Sequence, residues 1–186
     1  MSVGSRFQKY QVIINFLVFI NKVIPKKINK LFLVLFRNIP TPLGVLIRYV
    51  LLKNICLSVG KNLVVYEGVV FDSPETMSFG DNVSINPYCY LAGEIIIGDN
   101  VSIAHTTAFH SYNHTWNNPD LTINRNPLYS KKIIVKNDVW FGCNCIILSG
   151  VKIDNRTVVA AGSVVNKSLK SNSLFAGNPA RFIKSI

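Results

Sequence analysis

The chain has 186 residues, 49% hydrophobic and 16% charged, which suits one domain with a sizeable core. Its net charge of +11 is confined to the start: residues 1–61 hold ten Lys and Arg and no acid, whereas residues 62–186 hold ten basic and nine acidic residues. The four cysteines give no zinc spacing, since Cys143 and Cys145 lie two apart with no second pair, and packed free thiols are expected.

The first 57 residues form a basic, apolar head with short hydrophobic runs at 12–20, 31–36, 43–47 and 49–52. Its longest uncharged stretch, residues 10–21, is twelve residues long, short of the about 20 a bilayer span requires. Arg6 and Lys9 before an apolar run mimic a signal peptide, but Asn21, Lys22 and Pro25 stand where small residues should precede a cleavage site. Two or three helices are expected, broken near Pro25 and at Pro40-Thr41-Pro42. Such a segment either caps the open end of the neighbouring domain or also rests its apolar faces and lysines on an anionic membrane. No aromatic-and-basic motif accompanies the charge, so nucleic acid is not an expected partner. The expected compartment is cytoplasmic.

From Val59 onward a large apolar residue recurs every sixth position, with two interruptions. The positions are Val59, Val65 and Phe71, then Phe79, Ile85, Leu91, Ile97, Ile103 and Phe109, then Val135, Phe141, Ile147, Ile153, Val159 and Val165. Two residues before most of them sits a smaller partner, as in Val83, Cys89, Val101, Cys145 and Ser163. Side chains two apart on a strand point the same way, and the remaining residues of each hexad turn a corner. Gly60, Gly80, Gly98 and Gly142 directly follow the large residue, with Asp-Asn or Asn-Asp pairs close behind, as tight corners favour. The period fits neither helix nor hairpin and predicts a coil of short parallel strands, each turn covering the last. Five Asn-x-Ser/Thr sequons fall among the corner and loop residues and would matter only in a secreted protein.

Residues 110–134 break the period and hold a loop of polar and aromatic side chains. All three histidines, His105, His110 and His114, lie in or beside it. A long loop on a rigid scaffold is where function concentrates, and histidine can take a proton from an alcohol near neutral pH. No nucleophile motif and no glycine-rich phosphate loop occurs, leaving one base for a direct transfer.

The hexads, Asn113-His114 in the loop, the stretch "NDVWFGCNCIILSGVKI" at 137–153, "VVAAGSVVNKSL" at 158–169 and the tail "FAGNPARFIKSI" resemble the left-handed parallel β-helix acyltransferases. They are most similar to the branch containing galactoside and maltose O-acetyltransferases and the sugar acetyltransferases of surface polysaccharides. The resemblance covers residues 59–186. It implies an all-β fold, a three-sided left-handed β-helix over residues 58–186 with the helical segment at 1–57 and a short tail. It also implies a homotrimer with sites between subunits, acetyl-coenzyme A as donor, a sugar or glycan hydroxyl as acceptor, and no metal.

The same resemblance assigns roles residue by residue. His114 becomes the general base, and the backbone N–H of Cys143 meets the developing oxyanion. Asn86, Asn113 and Trp140 fall to the acceptor. Gly142, Cys143 and Ala161 border the pantetheine arm, Asn166 and Lys167 lie further along it, and Arg181 and Lys184 reach the nucleotide phosphates. Two departures stand out: the acceptor-site aspartate of the galactoside branch has no clear equivalent among Ala92, Gly93 and Glu94, and the basic head points to an acceptor presented at a membrane. Two other classes remain open. His105 and His110 have the five-residue spacing of a gamma-type carbonic anhydrase, although residues 1–104 contain no third histidine. A non-catalytic structural prism is the other, and it gives the loop no purpose.

Overall fold

The computed structural model describes residues 10–186. Most of it is a parallel β-helix whose coils build three faces. Face A stacks Ser58–Val59, Ser78–Phe79, Ile95–Ile97, Ile133–Val135 and Lys152–Ile153. Face B stacks Val64–Val65, Ser84–Ile85, Val101–Ile103, Val139–Phe141, Thr157–Val159 and Ser173–Ala176, and face C stacks Val70–Asp72, Tyr90–Ala92, Ala108–His110, Ile146–Ile147 and Val164–Val165. The chain visits A, B and C in turn. The last strand, Arg181–Ser185, folds back antiparallel on the edge of face B.

Register explains the hexads. Phe79, Ile97, Val135 and Ile153 are stacked partners on face A; Ile85, Ile103, Phe141 and Val159 on face B; Leu91, Phe109, Ile147 and Val165 on face C. Each large residue therefore covers its counterpart in the next coil, and fourteen of the fifteen are buried. At about 1.5–3 kcal/mol per buried side chain, this column is the main driving force for folding. Phe71 is only partly buried, because it lies on the edge strand of face C with a stacked partner, Leu91, on one side alone; eight residues rather than six separate it from Phe79. The extra length forms a 3-10 turn at Pro74–Thr76, and the Phe71 and Phe79 rings meet edge to face at 6.1 Å.

The corner glycines have a different cause from the one the sequence suggests. Gly60, Gly80, Gly98 and Gly142 are not in the left-handed region; Asn62, Asn82, Asn100 and Asn144, two residues further on, take positive φ instead. The glycines are required by close stacking, since a Cβ on Gly80 would collide with the Asp99 carboxylate and one on Gly98 with the Asn137 side chain. Those side chains form a ladder up one edge of the prism. Asp81 Oδ1 accepts from Lys61 N at 2.6 Å, Asp99 Oδ1 from Asp81 N at 2.7 Å, Asn137 Oδ1 from Asp99 N at 2.8 Å and Asn155 Oδ1 from Asn137 N at 2.9 Å.

Three helices close the first coil: α1 (Gln11–Asn21), α2 (Lys26–Leu35) and α3 (Pro42–Ile55). Arg6 and Lys9 lie outside the described residues. Thr41 caps α3, with Pro42 in its first turn. α3 packs against both other helices and the first strands, burying Leu51, Leu52 and Ile55 in the same core as the coil. Arg48, one of the ten basic residues of the head, is not on the surface. It is 1% exposed and donates from Nε to Val65 O at 2.9 Å and from Nη1 to the carbonyls of Phe36, Arg37 and Ile39 at 3.1–3.2 Å. One side chain thus satisfies the end of α2 and ties the head to the coil, at the cost of desolvation that lowers its pKa despite nearby Glu67.

Candidate active site

The insert is a structured hairpin. Tyr112–His114 pairs antiparallel with Leu128–Ser130, setting His114 opposite Leu128. It leaves the corner between faces C and A, where buried Ser111 is the anchor. Ser111 O accepts from Lys131 N and from Ser149 Oγ, both at 2.8 Å, and Ser111 Oγ accepts from Glu94 N at 2.8 Å. Tyr112 adds a second tie, its hydroxyl donating to Asp72 Oδ2 at 2.6 Å. That bond to a carboxylate, with desolvation, raises the Tyr112 pKa well above the usual phenol value.

Beyond the hairpin strands, Asn126 organises the loop tip. It is 4% exposed, its Nδ2 donating to the carbonyls of Asn118, Leu121 and Thr122 while its Oδ1 accepts from Asn118 N. Sequence reasoning passes over Asn126 because an asparagine amid Asn117, Asn118 and Asn124 has no signal of its own. Asn113 and His114 are both exposed, and the His114 imidazole makes no hydrogen bond among the described residues. Side chains two apart on a strand share a side, so His114 lies on the side of anchored Tyr112 and Asn113 on the other.

The other candidate residues are placed elsewhere. Asn86, Gly142, Cys143 and Ala161 lie along the corner between faces B and C. Gly142 needs its missing side chain, since a Cβ there would be 2.5 Å from Ala161 N. Asn86 Nδ2 donates to Ile103 O at 2.8 Å, a corner role that leaves its Oδ1 as an acceptor. Cys143 is half-buried, and among the described residues neither its N–H nor that of Ala161 donates a hydrogen bond. Trp140 projects from the middle of face B, 53% exposed, beside an open groove of about 420 Å³ that it lines with Ser102 and Val158. Asn166 and Lys167 are exposed on the C–A corner, on the same edge as the hairpin. Arg181 and Lys184 are exposed on the final antiparallel strand.

One chain therefore does not unite these groups. From the Cys143 corner to the hairpin corner at Ser149 is one full face, six residues, at most about 20 Å if fully extended at about 3.3 Å each. No hydrogen bond or ring contact joins His114 to Cys143, Trp140 or Asn86 among the described residues. Of the other histidines, His110 stacks on Tyr90 with ring centroids 5.4 Å apart, and no group of three or more His, Cys, Asp or Glu among the described residues is placed to hold a metal ion. The five-residue spacing of His105 and His110 thus finds no third ligand among the described residues of the one chain.

Comparison with known proteins gives this geometry its family. The family described as "Bacterial transferase hexapeptide (six repeats)" matches residues 77–108 and 132–167, the two blocks of coils on either side of the hairpin. The Escherichia coli protein named "Putative lipopolysaccharide biosynthesis O-acetyl transferase WbbJ" is 32% identical over 142 residues, which cover 71% of this chain and 69% of that one. A galactoside acetyltransferase solved with coenzyme A superposes with a TM-score of 0.76 at 27% identity, covering 89% of this chain and 82% of that one. A hexapeptide-repeat acetyltransferase of Vibrio cholerae, solved with acetyl-coenzyme A, superposes with a TM-score of 0.65 at 30% identity, covering 74% and 75%. With its stacked hexads, three-faced coil and protruding hairpin, the chain belongs to the hexapeptide-repeat transferases and is an acetyltransferase.

Proposed function

We propose that the chain moves the acetyl group of acetyl-coenzyme A onto a sugar hydroxyl of a surface polysaccharide, a lipopolysaccharide or a lipid-linked glycan precursor. What carries this reading is the pairing of an exposed, unbonded imidazole on an anchored hairpin with an unpaired corner N–H at Cys143. The relative named for lipopolysaccharide biosynthesis supports the acceptor class. Because the two groups sit on opposite edges of face C, the site forms between neighbouring copies, the hairpin of one reaching the B–C corner of the next. A closed ring of three is the assembly proposed.

In this site His114 takes the proton of the acceptor hydroxyl as the oxygen attacks the thioester carbonyl. The carbonyl oxygen becomes an oxyanion held by the Cys143 N–H, a backbone donor that no other group of the described residues engages. Collapse of the tetrahedral intermediate breaks the carbon–sulfur bond, and the leaving thiolate receives the proton from the imidazolium. No acyl-enzyme forms. Asn113 and Asn86 offer amide groups to the sugar, and Trp140 an apolar wall. Gly142 and Ala161 leave room for the pantetheine arm, Asn166 and Lys167 lie beyond it, and Arg181 and Lys184 provide cations for the phosphates.

The test is incubation with acetyl-labelled coenzyme A and a panel of polysaccharide-precursor sugars, some bearing a free amine. An alkali-labile acetyl ester on a sugar is expected. Labelling of amino sugars alone, or of none, overturns the reading.

A further inference from the structure

The helical head exposes more apolar surface than a cap requires. α1 contains no charged residue, and Val12, Phe16 and Phe19, at 83, 61 and 70% exposure, form one stripe at helical spacing opposite buried Ile14 and Asn21, with Val23, 82% exposed, in the turn that follows. α2 carries a second stripe, Ile28, Leu31, Val34 and Leu35, opposite buried Asn29 and Leu33. An open apolar groove of about 380 Å³ runs between α1 and α3, lined by Leu17, Ile20, Leu43, Leu46 and Val50. Lys22, Lys26 and Lys27, where α1 passes into α2, are exposed and in no ion pair among the described residues. An apolar area of this extent on a soluble chain marks a contact site.

Charge selects the occupant. The first acid of the chain is Glu67, so a second copy of the head would bring lysines against lysines, which opposes association. An anionic bilayer offers hydrocarbon to the stripes and phosphates to the lysines. No helix among the described residues is long and apolar enough to cross a membrane, so contact would be parallel to the surface.

We infer that α1 and α2 dock this protein on the surface of an anionic lipid bilayer, with their apolar stripes at the acyl boundary and Lys22, Lys26 and Lys27 on the headgroups. The inference is independent of which acceptor receives the acetyl group. The experiment is co-sedimentation of the full chain with phosphatidylcholine vesicles, with and without phosphatidylglycerol. Binding to the anionic vesicles is expected, falling at least tenfold in the Phe16→Glu/Phe19→Glu variant and by about a hundredfold when all three lysines become Gln. Unchanged coenzyme A affinity shows that both variants remain folded. Absence of binding to anionic vesicles, or binding that both variants retain, overturns the inference. So does a fall in molar mass of the Phe16→Glu/Phe19→Glu variant by light scattering without vesicle binding by the parent, which would make this face a contact between copies.

Discussion

If the site is shared between neighbours, two impaired variants should restore one another. His114→Ala removes the imidazole from the hairpin edge and should lower acetyl transfer by at least ~10²-fold. Trp140→Ala strips the wall on face B; the residue is 53% exposed, so the fold should tolerate the change while transfer falls by about tenfold. On the proposed reading each site takes its hairpin from one copy and its B–C corner from the next. When the variants are mixed in equal amounts, unfolded together and refolded, half of the copies carry a native hairpin and half a native face B. About a quarter of the sites then have both, and the mixture should recover about a quarter of parental activity, against about 5% for the average of the variants kept apart. The assay is initial-rate transfer from acetyl-coenzyme A at limiting acceptor, with mixed assembly verified by differently tagged copies. Verified mixed trimers with no more activity than that average would mean that each site is made within one chain, against the reading of the two corners.

Further outcomes come from the packing. Arg48→Met leaves the carbonyls of Val65 and Ile39 without their donor and takes one of two donors from those of Phe36 and Arg37, and should cost about 3 kcal/mol, lowering the melting temperature by about 10 °C in calorimetry. Gly98→Ala drives a Cβ into the Asn137 side chain and should cost about 1–3 kcal/mol by denaturant titration while leaving the kcat of the folded enzyme unchanged. Under mild alkylation of the native protein only Cys143 should react, because Cys56, Cys89 and Cys145 are buried; mass spectrometry showing two or more adducts would contradict this. Burial pushes the Cys56 thiol up to about 12 and the Cys89 thiol to about 11, both above the ordinary 9.0. The folded state thus keeps protons that the unfolded chain releases, so stability should be full below pH 9 and fall as pH rises from there toward 12, a decline that Cys56→Ala/Cys89→Ala should flatten.

What could be read from the sequence depends on the range over which each residue's cause acts. Val135 and Phe141 announce themselves because burial in a coil of three short strands must recur every six residues. The position of a core side chain is therefore a local property of the chain, written in each hexad. Arg48 does not announce itself: within "LGVLIRYVLL" it reads as one more surface charge, although an arginine amid eight apolar neighbours is the signal that was there to be read. Its partners, the carbonyls at 36, 37, 39 and 65, become neighbours only once α2, α3 and the first coil are assembled. The corner glycines show the same limit from the other side, their identity legible and their cause not, because the atom that forbids a Cβ at Gly98 belongs to Asn137, in the next coil and beyond the hairpin. His114 and Cys143 extend the sequence of scales one step further. Each is picked out by its neighbours in sequence and held by its own coil, yet face C separates them, so the chemistry proposed for the pair exists only at the scale of the assembly. A hairpin fixed at Ser111 and Tyr112 rather than left loose is what such a division requires, since the base must arrive at a neighbour's corner already oriented.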